Sequence, residues 1–155
     1  AEAIDIGSVV AEEKSLDLLS RAYLAAKEDH QAINVLTHLS IMLDDGKYDA
    51  LLAQTYLNNE QWQQAITSAK QAIAKAEATK GNNAKAGKPE TKVNYLGNMY
   101  LAQGMAQFNL QNFERSLTAF GQASKISSSK KTAQQWAKYV VREQNNHETR
   151  LAMLN

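Results

Sequence analysis

The chain has 155 residues with a hydrophobic share of 44% and a charged share of 21%, a composition that is typical of a globular domain and excludes a disordered chain. Its formal charge of +1 provides no broad electrostatic field for nucleic acid or an anionic membrane, so we expect no nucleic-acid partner. The absence of cysteine excludes disulfides, thiolate metal sites and cysteine nucleophiles, and no apolar run reaches the ~20 residues needed for direct membrane insertion.

The first segment, residues 1 to about 12, begins without Met and carries neither a basic region nor an apolar core of the kind found in a secretion signal. We expect it to be a short lead-in or the end of a preceding segment. This start indicates a mature or excised piece of a longer protein, although a processed cytoplasmic start has the same appearance.

A sequence repeat follows. The stretch 16–39 aligns with 49–72 at an offset of 33, and a third copy covers 100–123. Apolar residues within each copy recur with helical spacing, and strand-like alternation is absent. A repeat of this length predicts stacked helix pairs, so we predict an all-α chain. The predicted helix-turn-helix units cover about 13–45, 46–79 and 97–130.

Small side chains recur at equivalent positions of the three copies. One set lies in the first helix of each unit and the other lies early in the second helix: Ser20, Ala53 and Gly104, then Ala32, Ala65 and Ser116. Antiparallel helices pack closely only where neither carries a bulky side chain at the crossing. We therefore expect the paired helices to approach each other closely at these positions.

The segment at about 77–93 is an insertion between the second and third units. It is rich in lysine, poor in apolar residues, and contains Gly81, Gly87 and the only proline, Pro89. We predict a mobile loop there. After the third unit, we predict a C-terminal capping helix at about 132–152, with Thr132 as its N-cap, covering the open end of the stack.

The sequence offers no reactive constellation. His30, His38 and His147 are scattered, and no pair of histidines has the spacing of a zinc site on a helix. The glycine- and lysine-containing stretch 81–88 lacks the GK[ST] ending of a phosphate loop. We therefore predict no catalytic residues, no metal and no cofactor; an enzyme of unfamiliar class would need titratable groups gathered in a closed pocket.

The pattern of small and aromatic residues resembles that of the tetratricopeptide repeat (TPR) family. The resemblance implies a TPR-type α-solenoid of about three units, whose first helices line a concave groove that binds a protein or peptide. The family's groove positions fall on these residues: Lys14, Asp17, Arg21, Leu24, Ala25, Lys47, Ala50, Gln54, Leu57, Asn58, Asn98, Leu101, Met105, Phe108 and Asn109. For the fold, the alternative is an unrelated helical bundle. For the groove, the alternative is that several of its apolar residues cover the insertion or the last helix.

The groove composition bears on the kind of partner. Family members that grip chaperone tails clamp a terminal carboxylate with polar or basic groups, whereas Asp17 and Ala50 occupy those places here. An extended or amphipathic segment with alternate apolar side chains fits the groove better.

A narrower resemblance covers most of the chain, including the run LLSRAYLAAKEDHQAINVL at 18–36 and the unit that contains Trp62. The runs GMAQFNLQNFERSLTAFGQASK and KKTAQQWAKYV are similar to the C-terminal part of periplasmic TPR proteins associated with TonB energy-transduction systems. This resemblance implies a periplasmic scaffold that assists a TonB-linked transport complex. The alternatives are a cytoplasmic location, a co-chaperone or assembly factor for exported proteins, and a self-association module that forms homo-oligomers.

Overall fold

The computed structural model describes residues 6–89 and 93–155. The described residues form seven α-helices and no strand, which confirms the all-α prediction. The helices are α1 (Ile6–Ala25), α2 (Asp29–Met42), α3 (Lys47–Asn58), α4 (Trp62–Lys85), α5 (Leu96–Asn109), α6 (Phe113–Ala123) and α7 (Lys130–Leu154).

Three of the connections, α1 to α2, α3 to α4 and α5 to α6, have the same geometry. Each contains one residue with positive φ: Lys27 at 59°, Glu60 at 59° and Gln111 at 62°. The amide of the following residue donates to a carbonyl five residues back, as Glu28 does to Tyr23, at 2.9 Å in all three turns. This is the Schellman pattern, which ends a helix with a residue in the left-handed region and satisfies its last carbonyls.

The small residues of the repeat lie where these paired helices meet. Ser20, Ala53, Gly104, Ala32, Ala65 and Ser116 are all buried. The Ser116 hydroxyl donates to the Gly104 carbonyl across the α5–α6 contact at 2.7 Å. A Cβ on Gly104 would lie 2.6 Å from the Phe120 ring, so only glycine admits this ring. The expected close approach of the paired helices is therefore confirmed for α5 and α6.

Packing between helices follows chain order. Each helix packs against the next, and α5 also contacts α3 and α7. The described helices thus form a sequential stack in which α3 lies between α2 and α4, and α5 lies between α4 and α6. Four apolar clusters occupy successive contacts along the stack.

A buried ion pair joins α2, α3 and α4. The carboxylate of Asp49 is fully buried; its Oδ1 accepts from the Ser40 hydroxyl at 2.6 Å, and its Oδ2 lies 2.8 Å from the Lys75 ammonium. Lys75 donates hydrogen bonds to the carbonyls of Ser40 at 2.6 Å and Leu43 at 3.0 Å. Its contact with Oδ2 is an ion pair whose geometry is not that of a well-aligned hydrogen bond.

The helix bounds differ from the sequence predictions at three places. α1 starts at Ile6, so 6–12 are helical and not a lead-in; the first five residues lie outside the described part. α4 continues through Lys85, so the loop predicted over 77–93 starts later, and its residues 90–92 also lie outside the described part. Alanine, glutamate and lysine around Gly81 favour helix strongly enough to outweigh the ~1 kcal/mol that an interior glycine costs.

The predicted N-cap of the last helix is wrong. α7 starts at Lys130, two residues earlier than expected, and Ser129 occupies the N-cap position. The Ser129 hydroxyl does not bond to the first turn of α7; it donates to the Ala123 carbonyl at 2.7 Å. Thr132 is exposed inside the helix, because α7 starts two residues before it.

Candidate functional site

The candidate binding surface is formed by the odd-numbered helices. α5 contacts both α3 and α7, and α1 reaches α3 through the side chain of Glu13. All the groove positions predicted from the sequence lie on α1, α3 and α5. Their side chains differ in what they contact and in how much of them is exposed.

The end of this surface at α1 and α3 is charged. The Glu13 carboxylate accepts from the Lys47 ammonium at 3.2 Å and from the Tyr48 hydroxyl at 3.1 Å. Asp17 accepts from Arg21 one turn along α1 at 2.8 Å. Lys14, Arg21 and Lys47 are exposed and Asp17 is half-buried. Of the predicted groove residues, Asp17 and Arg21 therefore form an ion pair along α1, and Lys47 links α3 to α1 through Glu13.

Tyr48 is the residue of this end that the sequence argument missed. It is buried, and burial raises the pKa of its hydroxyl to about 12, with the nearby Lys47 ammonium opposing part of that shift. Its hydroxyl still reaches Glu13. The signal in the sequence is weak, because Ser15 and Met99 occupy the equivalent positions of the other copies.

The middle of the surface is an amide patch on α3. The Gln54 side chain donates to the Asn58 side chain at 2.9 Å, and both residues are exposed. Leu57 is half-buried and packs against the cluster of Ala65, Ile66 and Ala106. Leu24 on α1 is likewise half-buried and packs against the α2–α3 cluster.

At the α5 end the predicted apolar groove residues contact α7. Leu101, Met105 and Phe108 belong to the cluster that includes Ala133 and Val140 of α7. Leu101 retains only 8% of its surface, which leaves it the least room to contact a partner. Asn109 is exposed and donates to the Met105 carbonyl at 2.8 Å, within its own helix.

Aromatic side chains of α7 extend this end of the surface. The Phe108 ring lies 6.0 Å from Trp136 and 5.3 Å from Tyr139, centroid to centroid. Trp136 and Tyr139, with Thr132 and Gln135, line a cavity of about 220 Å³. The sequence predicts only a covering role for α7. The signal in it for this contact is the spacing of Trp136 and Tyr139, three residues apart on one helical face.

Two other clefts lie away from the predicted groove residues. One, of about 280 Å³, lies between α4, α5 and α6 and has Lys70 and Arg115 in its lining. The other, of about 450 Å³, lies between the first two turns, where Asn59 donates to Asp29 at 2.7 Å beside His30.

Histidine and carboxylate side chains form no metal-binding cluster in the described part of the chain. No group of three or more His, Asp or Glu side chains there is placed to hold a metal ion. His38 lies 3.6 Å from Glu12 on an exposed face, and the His147 ring lies 5.6 Å from that of Phe113. The charged and amide groups of the surface can bind and orient a polypeptide through hydrogen bonds and ion pairs.

None of the described helices has the length and apolarity required to cross a bilayer. The sequence matches no protein-family model, and a search of curated proteins finds no significant relative.

Proposed function

We propose that the chain is a TPR-type α-solenoid of about three units with a capping helix, and that it is a non-catalytic scaffold binding a protein or peptide along α1, α3, α5 and α7. The observation that carries the proposal is the threefold recurrence of one turn, with positive φ at Lys27, Glu60 and Gln111. A fixed turn repeated at the sequence offsets of 33 and 51 orients each helix pair alike. The odd-numbered helices then present equivalent side chains on one side.

The side chains on that side suit a polypeptide partner. Gln54, Asn58 and Asn109 are exposed amides, which can donate to and accept from an extended backbone. Lys47 and Glu13 supply opposite charges at one end, and Trp136 and Tyr139 supply an apolar cavity at the other. A segment bearing one aromatic or aliphatic anchor and a polar stretch matches this order.

The narrower resemblance extends the proposal to location and pathway. In that form, the chain is a periplasmic component that assists a TonB-linked transport complex, and its partner is a protein of that complex. The resemblance of residues 104–125 and 130–140 is the support for this extension.

Site-specific photocrosslinking tests the proposal. A photoreactive amino acid at Gln54 or Asn58 samples the proposed surface, and the same group at Gln63 or Thr67 of α4, also exposed, is the matched control. We expect a discrete adduct from the two α3 positions and none from the α4 positions. Cells expressing the protein in the periplasm provide the setting, with adducts identified by mass spectrometry.

The competing functions give different adducts. A ladder of many exported proteins from α3 would favour a co-chaperone or assembly factor, and an adduct at twice the mass of the chain would favour self-association. Equal adducts from α3 and α4 would contradict the proposed binding surface.

A further inference from the structure

The cleft of about 280 Å³ between α4, α5 and α6 is separate from the proposed binding surface. Its floor is α5 and its walls are α4 and α6, which both pack against α5; in the described part of the chain these two helices do not pack against each other. Tyr100, Gln103 and Gln107 line the floor at helical spacing. They lie on a different side of α5 from the groove residues Leu101 and Met105.

The walls of the cleft carry two positive charges. Lys70 of α4 and Arg115 of α6 line it, and both residues are exposed. Among the described residues, no carboxylate belongs to the lining and none forms an ion pair with either cation. Both cations are therefore available to an anion that enters the cleft.

Gln107 is the buried polar residue of the cleft. Only 7% of its surface is exposed, and the equivalent positions of the other two copies are Tyr23 and Tyr56. Its Oε1 accepts from the Asn112 side chain at 2.9 Å, and no described residue accepts from its Nε2. This nitrogen can therefore donate to a ligand in the cleft.

The charged and amide side chains of the cleft are not part of the repeat. Their equivalents at the junction of α2, α3 and α4 carry no charge: Thr37 for Lys70, Leu52 for Gln103 and Gln64 for Arg115. The helices pack in the same order at both junctions, so this packing does not require the cleft residues. A pocket with a few convergent polar groups that packing does not explain is a candidate binding site.

The rest of the lining suits the uncharged part of a small polar molecule. Gln103, Thr118 and Gln122 supply amide and hydroxyl groups that both donate and accept hydrogen bonds, and Tyr100 and Ala119 supply apolar surface. Pockets for small molecules have volumes of about 300–1,000 Å³. The cleft is at the lower limit of that range, so it admits a molecule of about the size of a monosaccharide.

The two ends of the cleft differ in charge. Gln107 and Arg115 lie on either side of the α5–α6 turn, whereas Tyr100 lies near the start of α5. Burial and the Glu77 carboxylate raise the pKa of Tyr100, so a negative charge is already present near that end. The acidic group of a ligand is therefore favoured at the end formed by Gln107 and Arg115.

We propose that this cleft binds a small organic anion, a molecule of monosaccharide size that carries hydroxyl groups and one phosphate or carboxylate group. The acidic group pairs with Arg115 and accepts from Nε2 of Gln107, and Lys70 supplies a second positive charge from the opposite wall. Phosphate and carboxylate share the geometry that a guanidinium binds with two parallel N–H donors.

A matched series of sugars tests the proposal. The probes are glucose phosphorylated on its primary hydroxyl, glucuronate, which has a carboxylate at the same carbon, and unmodified glucose. Each is titrated into the full chain while backbone and side-chain amide NMR spectra are recorded. We expect saturable shifts at the Gln107 side chain and at Gln103 and Thr118 with the two anions, and none with glucose. The tighter of the two anions identifies the acidic group.

Substitutions make the test specific. Arg115→Gln should weaken binding of the anions by about tenfold, which is equivalent to about 1.4 kcal/mol. Gln107→Glu keeps an acceptor for Asn112 and adds a negative charge, so it should abolish binding. Lys138→Gln, at an exposed α7 residue outside the cleft, removes one positive charge and should leave the affinity unchanged. Circular dichroism should show that all three variants are folded.

Five results would overturn the proposal. They are the absence of saturable shifts with both anions, shifts confined to residues outside the cleft, binding of glucose as tight as that of the anions, anion binding that Arg115→Gln does not weaken, and binding of inorganic phosphate as tight as that of the sugar phosphate. A short peptide with one phosphoserine or glutamate is the last probe. If it binds more tightly than both sugars, the cleft belongs to a side chain of a partner protein and the proposal is wrong.

Discussion

The two internal junctions of the stack are held by different contacts. Where α3 meets α2 and α4, a fully buried carboxylate, Asp49, pairs with Lys75 and accepts from Ser40. Where α5 meets α4 and α6, small residues and the Phe120 ring fill the contact, and a buried hydrogen bond joins the Ser116 hydroxyl to the Gly104 carbonyl. The repeated turns set the geometry of each helix pair, whereas different side-chain contacts stabilise the two junctions.

Removal of the cation at the first junction has the largest expected effect. Lys75→Met leaves the Asp49 carboxylate buried without a counter-charge and leaves the carbonyls of Ser40 and Leu43 without their donor. We expect the free energy of unfolding to fall by about 3 kcal/mol, at the lower end of the range for broken buried pairs because the Lys75 side chain is a quarter exposed. Urea denaturation followed by circular dichroism measures it.

The double variant is the control. Asp49→Asn combined with Lys75→Met removes both charges, so we expect it to recover a substantial part of the lost stability. A double variant no more stable than Lys75→Met alone would mean that the charge is not the cause.

A glycine pair tests the second junction. Gly104→Ala brings a Cβ to 2.6 Å from the Phe120 ring, and overpacking of this kind costs about 1–3 kcal/mol. Gly121→Ala on α6 has no atom within 4 Å, so the loss of backbone freedom in the unfolded chain should stabilise by about 0.5–1 kcal/mol. The midpoint of thermal unfolding should therefore fall for Gly104→Ala and rise for Gly121→Ala. A shift of the same sign in both variants would contradict the close packing at Gly104.

We expect the three repeated turns to contribute equally to stability, unlike the side chains of the two junctions. Lys27, Glu60 and Gln111 each have a positive φ, a backbone conformation that is unfavourable for residues with a Cβ atom. Replacement of each by glycine should raise the free energy of unfolding by up to about 1 kcal/mol, and by similar amounts, because the three turns share one geometry. Differential scanning calorimetry of the three single variants measures the gain. One variant that loses stability while the others gain would show that its turn is held by side-chain contacts instead.

The smallest effect at neutral pH concerns Tyr48 in the first junction. Burial raises its pKa to about 12 from the ordinary value of 10.0, so the folded state holds its proton where the unfolded state has lost it. The stabilisation is complete below pH 10.0 and disappears as the pH rises through about 12. Tyr48→Phe should make the alkaline fall in stability shallower over that window, in urea titrations at several pH values. An unchanged alkaline fall in Tyr48→Phe would contradict the contribution of the buried hydroxyl.

The sequence predicted the features that repeat. The all-α class and the burial of residues such as Ala32, Ala65 and Ser116 follow from a 33-residue offset and from the need for small side chains at helix crossings. These features are local or periodic, so one copy supports the interpretation of the next.

The features that do not repeat were not predicted. Asp49 and Lys75 are 26 positions apart, and nothing local in the chain marks an ion pair between them. The continuation of α4 through Gly81 differs from the predicted loop, because the helix-forming residues beside this glycine outweigh its own low helix propensity. The contact of Phe108 with Trp136 depends on the position of α7 in the fold, which no local pattern specifies. In the binding surface, the position of the amide residues in the repeat is enough to predict that they are exposed. The burial of Leu101 against α7 can be seen only from how the helices pack.

The buried pair also ties α3 and α4 to the helix that precedes them. Asp49 and Lys75 would move together if this helix pair changed places with the next, but the Ser40 hydroxyl that donates to Asp49 and the Ser40 and Leu43 carbonyls that accept from Lys75 would stay behind with α2. One repeat later, the positions of Ser40, Asp49 and Lys75 are occupied by Ile73, Tyr100 and Ile126, whose side chains carry no charge. A reordered array would therefore have to supply a new donor to Asp49 and new acceptors to Lys75.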